Sequence, residues 1–139
     1  MHTPLVLRFA AALAAAACAG AAVRAETPAD LLAAYATAAG GSAGFSGFSA
    51  ERGRQFFGST HGSDWSCATC HTQNPAATGR HVKTGKSIAP LAPSASPARF
   101  TDPAKAEKWF KRNCNDVLGR DCTAQEKGDV LAYLIGVRP

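Results

Sequence analysis

Methionine is nearly absent from this chain of 139 residues, since its one methionine is the initiator, Met1. No thioether side chain is therefore available further along as a soft ligand for a metal. The sequence also lacks runs that alternate between apolar and polar residues, and it lacks internal repeats. These absences exclude a predominantly β fold and a repeat protein, and they favour an all-α fold.

The first 25 residues have the layout of a secretory signal peptide. Arg8 precedes an alanine-rich apolar run, and Val23-Arg24-Ala25 supplies the small residues of a cleavage site. We expect cleavage after Ala25, with loss of Cys18. An uncleaved membrane anchor is one alternative. Lipidation of Cys18 is another, which the alanines before it disfavour, because a bulkier apolar residue is expected before a lipid-bearing cysteine.

Cleavage leaves residues 26–139, enough for one modest domain. Removal of Arg8 and Arg24 leaves 13 basic against 10 acidic residues, a formal net charge of +3. This charge is too small and too scattered to indicate nucleic-acid binding. Export would also place the domain in an oxidising compartment, where spare thiols tend to pair.

Helix-capping residues divide the mature chain into four predicted helices. Thr27-Pro28-Ala29-Asp30 offers a capping threonine, a proline suited to the first turn and an acid at the positive end of the helix dipole. Thr123-Ala124-Gln125-Glu126 has the pattern of a capping box. The predicted helices span about residues 28–39, 50–57, 103–113 and 124–136.

A long stretch between the second and third helices, residues 63–97, is rich in proline, glycine, serine and threonine. The prolines between Ala89 and Ala98 exclude a helix there, because proline lacks the backbone donor and clashes with the preceding turn. An ordered loop of this length is unusual unless it wraps something. The sequence therefore predicts a prosthetic group in place of a large hydrocarbon core.

This stretch contains CATCH, Cys67 to His71, which matches C-x-x-C-H, the covalent attachment site of haem c. Two thiols three residues apart lie on one side of a helical turn and can reach both vinyl groups of the haem. The adjacent His71 then projects its imidazole to the iron as the proximal ligand. We therefore expect one haem c, bound through Cys67 and Cys70, and a protein of the bacterial periplasm.

Two alternatives compete for the same cysteines. A thioredoxin-like C-x-x-C site needs a βαβ setting, which this chain lacks. A zinc site could use all four cysteines that follow the signal peptide, but an exported protein is a poor place for it. Haem attachment accounts for both the cysteine spacing and the histidine that follows.

Helical spacing outside the motif gives further support. Gly53 would let the last helix cross the second one closely, and Phe57, one turn later, would then pack near Tyr133. This arrangement resembles the crossed N- and C-terminal helices of class I cytochromes c. Any pair of amphipathic helices has apolar residues at such spacing. The pattern therefore supports the resemblance only in combination with CATCH.

The lack of methionine leaves open which side chain occupies the sixth coordination position of the iron. His61 lies on the attachment side of the motif and is expected to be a solvated loop residue. His81 lies ten residues after His71, and so short a connection reaches the opposite face of the haem with difficulty. Neither histidine is the preferred candidate.

Asn113 is the remaining candidate. By spacing, it shares one helix face with Ala106, Trp109 and Phe110. An unpaired amide on such an apolar face would be costly. The amide could be satisfied by ligating iron or by bonding the local backbone, as asparagine commonly does. Spacing alone leaves both alternatives open.

Cys114 and Cys122 remain as a pair once the haem and the signal peptide account for the other cysteines. In an oxidising compartment they are expected to form a disulfide, which contributes about 2.5 kcal/mol in the chain-entropy model. The bridge would fix the backbone beside Asn113 and hold its amide near the iron. A staple unrelated to function is the alternative.

Two longer segments carry a family resemblance: RNCNDVLGRDC, ending at Cys122, and KTGKSIAPLAPSASPARFTDPAKAEKWF, beginning at Lys83. Together with CATCH they resemble the oxygen-binding cytochromes c of the sphaeroides haem protein (SHP) type, over about residues 27–133. The resemblance implies a class I cytochrome c fold of about four helices around one covalently bound haem. It also implies three site assignments: His71 as proximal ligand, Asn113 as distal ligand and a Cys114–Cys122 disulfide.

An asparagine amide is a neutral, weak oxygen donor, and a hard oxygen suits ferric iron better than ferrous iron. Reduction should therefore weaken the bond to Asn113 and free a site for O2, NO or CO, with Asn113 near enough to donate a hydrogen bond. The expected function is a periplasmic cytochrome c that accepts an electron and, when reduced, binds a diatomic gas. A plain six-coordinate electron carrier, with His81 or another strong ligand, and a weak oxygen or peroxide reductase are the alternatives.

The resemblance also implies an electron-donor partner, a dihaem cytochrome c, through which the protein could come near a membrane. A basic surface on the third helix is a candidate for docking it, although such charges are more often a solvated helix face. Its residues are Lys105, Lys108, Lys111 and Arg112. No charged acid–base pair is evident on the distal side, so ligand binding is preferred over true catalysis.

Overall fold

The structure is a computed structural model that describes residues 26–138. The predicted signal peptide, with Arg8 and Cys18, lies outside the described residues. The elements in chain order are α1 (Pro28–Ala39), α2 (Ala50–Gly58), α3 (Cys67–His71), β1 (Gly79–Arg80), β2 (Ser87–Ile88), α4 (Pro103–Leu118) and α5 (Ala124–Gly136). Within residues 26–138, no helix has both the length and the apolar character needed to span a membrane.

The longer helices begin at the caps that the sequence predicts. The Thr27 hydroxyl accepts the backbone N–H of Asp30 at 3.2 Å, and the Asp30 carboxylate accepts the backbone N–H of Thr27 at 2.8 Å. Thr123 and Glu126 form the same reciprocal pair at the start of α5, and Ser49 caps α2. The predicted bounds of α1, α2 and α5 are confirmed to within one residue.

The predicted end of the third helix is wrong, because α4 continues past Asn113 to Leu118. Asn113 and Asn115 are poor helix formers, which disfavours a helix across them. The helix ends instead at Gly119, whose φ of +69° places it in the left-handed region that favours glycine. Asn113 therefore lies inside the helix, with more than a turn of regular backbone beyond it.

The stretch predicted as a long loop with one helical turn at the motif contains three short elements. The motif forms α3, and β1 pairs antiparallel with β2 through Gly79 opposite Ile88 and Arg80 opposite Ser87. The described chain is mostly helical, as predicted, but it has five helices rather than four and one small β-ribbon. The β-ribbon therefore holds part of this loop in a regular structure close to the motif.

Helices α2 and α5 cross at Gly53. A Cβ atom at this position would overlap the backbone carbonyl of Asp129, so no other residue fits at the crossing. One turn later, the ring of Phe57 packs against Tyr133 with a centroid separation of 5.6 Å. The close crossing predicted from Gly53 and Phe57 is therefore present. The buried residues of this cluster are Phe57, Ala68, Val130 and Leu134.

A buried carboxylate reinforces the same crossing. Asp129 is 5% exposed, and its oxygens accept from the Arg52 guanidinium at 2.8 Å and 2.9 Å. They also accept the backbone N–H of Ser49 at 2.7 Å and the Gln125 side-chain amide at 3.0 Å. These four hydrogen bonds satisfy the buried carboxylate of Asp129. The charge therefore ties the start of α2 to α5.

A second cluster joins α1, α4 and α5. Its buried residues are Leu31, Tyr35, Ala106 and Leu131. The partly buried ring of Phe110 packs against this cluster and meets Tyr35 edge-on, with centroids 6.0 Å apart. This contact places α4, which carries Asn113, against the bundle through its inward face.

Candidate functional site

Helix α3 carries the three predicted haem-binding residues on little more than one turn. The Ser66 hydroxyl accepts the backbone N–H of Thr69 at 3.2 Å, and the Thr69 hydroxyl accepts that of Ser66 at 2.9 Å. This reciprocal cap starts the turn at Cys67. The helical turn expected from the motif is present, with the two thiols at a spacing that places them on one side.

Cys67 and Cys70 are free thiols and do not bond to each other. Burial raises the pKa of Cys67 to about 11, which keeps its thiol protonated at neutral pH. Among residues 26–138, no group of three or more histidine, cysteine or acidic side chains could hold a metal ion. The four-cysteine zinc alternative is therefore not supported, whereas two unpaired thiols on one turn fit covalent attachment of haem.

The His71 imidazole has the protonation state that a metal ligand needs. Burial, with a smaller contribution from the positive charge of Arg99, lowers the pKa of His71 to about 4. The ring is therefore neutral at pH 7. It lies 6.4 Å from the ring of Phe57, centroid to centroid. Neither ring nitrogen bonds to another residue of the described chain, so both are available to an external ligand.

Arg99 organises the proline-rich loop near this histidine. Its guanidinium donates to the backbone oxygen of Pro90 at 2.9 Å and to that of Ala89 at 2.7 Å. Burial lowers the pKa of Arg99. The one clue to Arg99 in the sequence is its place next to a run of prolines, which leave many carbonyls without helical partners.

The β1–β2 hairpin lies directly beside the attachment turn. A Cβ atom on Gly79 would overlap the backbone carbonyl of Cys70, so glycine is needed for this approach. Beyond it, the backbone N–H of Val82 points at the sulfur of Cys70 at 3.5 Å. The turn of this hairpin, residues 81–86, therefore contacts Cys70, the second cysteine of the motif.

The amide of Asn113 has no hydrogen-bond partner among residues 26–138, although the side chain is half-buried. Asn115 instead makes the local bonds, donating to the backbone oxygen of Lys111 at 2.8 Å and to Asp121 at 2.6 Å. Bonding of the amide to the local backbone, the alternative to iron ligation, is therefore seen at Asn115 and not at Asn113. An unpaired, half-buried amide fits a residue that binds a ligand, and its ligation of iron stays a prediction.

The predicted disulfide is present immediately after Asn113. Cys114 and Cys122 are bonded, with their Cα atoms 5.6 Å apart, and Cys114 is buried. The bridge joins the C-terminal half of α4 to the segment that leads into α5. In the same segment the Arg120 guanidinium donates to Glu126 at 2.6 Å. The backbone on the C-terminal side of Asn113 is therefore anchored.

A second anchor lies on the N-terminal side of Asn113. The Tyr35 hydroxyl donates to Glu107 at 2.6 Å, and Lys127 donates to the other carboxylate oxygen at 2.8 Å. Burial first, and then the bond to Glu107, raise the pKa of Tyr35 above its usual range. This triad was not predictable from the sequence, because its members lie on three different helices.

Trp109 differs from the prediction. Ala106 is buried and Phe110 half-buried, as the predicted apolar face requires, but Trp109 is 42% exposed. Its ring lies under the guanidinium of Arg112, 5.5 Å from the centroid. This cation–π contact lets the tryptophan remain at the surface.

The two histidines considered for the sixth position lie in surface loops. His61 is exposed, as predicted, and one ring nitrogen lies 2.9 Å from the backbone oxygen of Phe56. The Nδ1 atom of His81 accepts the backbone N–H groups of Lys83 and Thr84, both at 3.3 Å. These bonds hold His81 within the hairpin turn.

Comparison with known proteins identifies the family. Residues 43–134 match the family described as "Domain of unknown function (DUF1924)". The chain is 52% identical over 121 residues to Cytochrome c-type protein SHP of Cereibacter sphaeroides, covering 84% of this chain and 89% of that protein. The chain belongs to the SHP-type cytochromes c.

Two solved structures of related cytochromes are similar to this SHP-type chain. Oxidised SHP, an oxygen-binding cytochrome c, matches with a TM-score of 0.70 at 52% identity, over 78% of this chain and 96% of that one. The solution structure of Methylophilus methylotrophus cytochrome c'', which concerns haem-ligand detachment, matches with a TM-score of 0.69 at 38% identity. That match covers 81% of this chain and 94% of the other. The predicted resemblance is therefore confirmed.

Proposed function

We propose that this SHP-type cytochrome is exported to the periplasm, binds one haem c, accepts an electron and, when reduced, binds a diatomic gas such as O2, NO or CO. The observation that carries the proposal is the unpaired amide of Asn113, fixed between two anchors on α4. The oxygen binding of its relative SHP supports the same conclusion.

The residues on α3 suit covalent attachment. Cys67 and Cys70 would form the two thioether bonds, and the neutral imidazole of His71 would be the proximal ligand. A bound haem would supply the iron that stores the electron and binds the gas. Arg99, through its bonds to the proline-rich loop, keeps the chain around His71 in place.

Asn113 would make the gas site dependent on the oxidation state. Its amide oxygen is a weak, hard donor, which holds ferric iron better than ferrous iron. Asn113 would hold the ferric iron and let go of the ferrous iron, while the two anchors would keep α4 in place. Its amide N–H would then serve as a hydrogen-bond donor to a bound gas.

The electron donor we propose is a dihaem cytochrome c, on the strength of the family resemblance. Through this partner the protein would operate near the membrane. The sequence offers no evident charged acid–base pair for the distal side of the haem. Gas binding is therefore proposed in preference to reduction of oxygen or peroxide.

Carbon monoxide binding tests the proposal directly. The ferrous protein is expected to be high-spin and to show a shifted Soret band soon after CO is added, because the amide leaves the iron on reduction. The measurement is an anaerobic CO difference spectrum. Excess imidazole, a strong nitrogen ligand, should compete with CO. A low-spin ferrous spectrum that does not change when CO is added would show that the protein is a plain electron carrier instead.

Removing the disulfide tests the C-terminal anchor. The double variant Cys114→Ser/Cys122→Ser is expected to lose about 2.5 kcal/mol in free energy of unfolding. Its ferric spectrum should also shift toward the species without an amide ligand, because the backbone beside Asn113 is no longer fixed. Chemical denaturation and absorption spectra measure the two effects.

The matched control is Arg120→Gln, which removes an ion pair from the same segment but leaves the disulfide in place. Its ferric spectrum should equal that of the parent protein. If the double serine variant lost stability but kept the parent ferric spectrum, the bridge would be only a staple.

A further inference from the structure

The segment that carries the attachment motif contains no carboxylate. Residues 65–101 include no aspartate or glutamate, and the acids that border them are Asp64 and Asp102. Four permanent cations lie within the segment: Arg80, Lys83, Lys86 and Arg99. Because the same segment forms α3 and the hairpin, every permanently charged side chain on these elements and their connections is positive.

The hairpin turn also presents an apolar centre among these cations. Val82 is 45% exposed, and its backbone N–H points at the sulfur of Cys70. The Lys83 ammonium lies 4.5 Å from the centroid of the Trp65 ring, which keeps it close to the motif. Arg80 donates to the backbone oxygen of Gly85 at 3.0 Å and so stays on the hairpin.

The basic residues of α4 offer a weaker docking surface. Glu107 and Asp116 lie on the same helix, so the charge there is mixed. The exposed ring of Trp109 is already covered in part by Arg112. No residue of this helix is hydrogen-bonded to α3 within the described chain. The docking surface suggested by the sequence is therefore not the one that the geometry favours.

We propose that electrons enter this cytochrome at the hairpin face, defined as Arg80, Val82, Lys83 and Lys86, which docks the acidic face of an electron-transfer protein. The proposal rests on electron acceptance within the proposed function, but not on gas binding. The partner loses one electron and the ferric haem gains it, and no proton or covalent bond is exchanged. Val82 would contact the centre of the partner's surface, and the cations would pair with its carboxylates.

Paramagnetic mapping tests the surface without relying on electron transfer. Hexacyanochromate(III), a trivalent anion, should broaden the backbone amide signals of residues 80–86 in the labelled holoprotein at low salt. Broadening centred on residues 105–112, or spread evenly over both regions, would overturn the proposal. Raising the ionic strength should remove the selective effect.

Charge reversal provides the second test, with reduced flavodoxin as an acidic protein donor. Lys83→Glu/Lys86→Glu should slow reduction of the ferric protein about tenfold at low ionic strength. The matched control on α4, Lys105→Glu/Lys108→Glu, should change the rate less than twofold. If the α4 variant were reduced more slowly than the hairpin variant, electron entry would lie on α4 instead. Ferrous CO spectra should be the same in both variants, so a failure here is distinct from a failure of the gas-binding proposal.

Discussion

Replacing Asn113 with alanine is expected to leave covalent haem attachment intact and to change the ferric absorption spectrum. The proposed attachment residues lie on α3, whereas Asn113 lies on α4 and its side chain makes no hydrogen bond to the described chain. Its loss would therefore remove the proposed iron ligand without removing a side-chain hydrogen bond. In the ferrous protein, the bound gas should dissociate about tenfold faster, because it loses a hydrogen bond worth about 1.4 kcal/mol.

The control for this variant is Asn115→Ala, two residues further along the same helix. Asn115 bonds to Lys111 and Asp121, so its replacement should lower stability slightly and leave both spectra unchanged. Ferric absorption spectra and CO or O2 dissociation measured by stopped flow separate the two variants. An unchanged ferric spectrum in Asn113→Ala would show that the distal ligand is another side chain.

Replacing Gly53 with alanine is expected to lower the free energy of unfolding by about 3 kcal/mol or more. The new Cβ atom would overlap the backbone carbonyl of Asp129 on α5, and a backbone atom cannot rotate aside as a side chain can. The helices would have to separate, which would also disturb the contact between Phe57 and Tyr133. Guanidinium denaturation of the haem-loaded protein gives the value.

Gly58→Ala is the matched control on the same helix. A Cβ atom there would meet only the side chain of Gln73, at 3.8 Å, which is an ordinary contact. Its effect on the free energy of unfolding should stay within about 0.5 kcal/mol. Equal effects of the two substitutions would mean that the crossing tolerates a side chain.

The parts of the fold that depend on residues close together in the sequence could be predicted. The capping residues Thr27 and Thr123 fix helix starts through bonds to residues three positions away, and such pairs are visible in a sequence. The spacing of CATCH likewise predicts one helical turn, which is present as α3. The disulfide followed from counting cysteines in an oxidising compartment, and it is also present.

Features that depend on distant residues were not predictable in the same way. The bond between Tyr35 and Glu107 joins positions 72 residues apart, and neither residue stands in a recognisable pattern. The exposure of Trp109 depends on Arg112 beside it and on how α4 is rotated against the bundle. The end of α4 needed the backbone angle of Gly119, which outweighs the weak helix propensity of the asparagines before it.

In the proposed function, the position of Asn113 between two fixed points would restrict how much of the protein moves on reduction. With the Tyr35–Glu107 bond on one side and the Cys114–Cys122 bridge on the other, release of the amide would need only rotation of one short side chain. Such rotations take picoseconds to nanoseconds and cost little entropy. A gas would therefore meet a site that opens without prior rearrangement of a helix, and its affinity would not be reduced by a rare, costly open conformation.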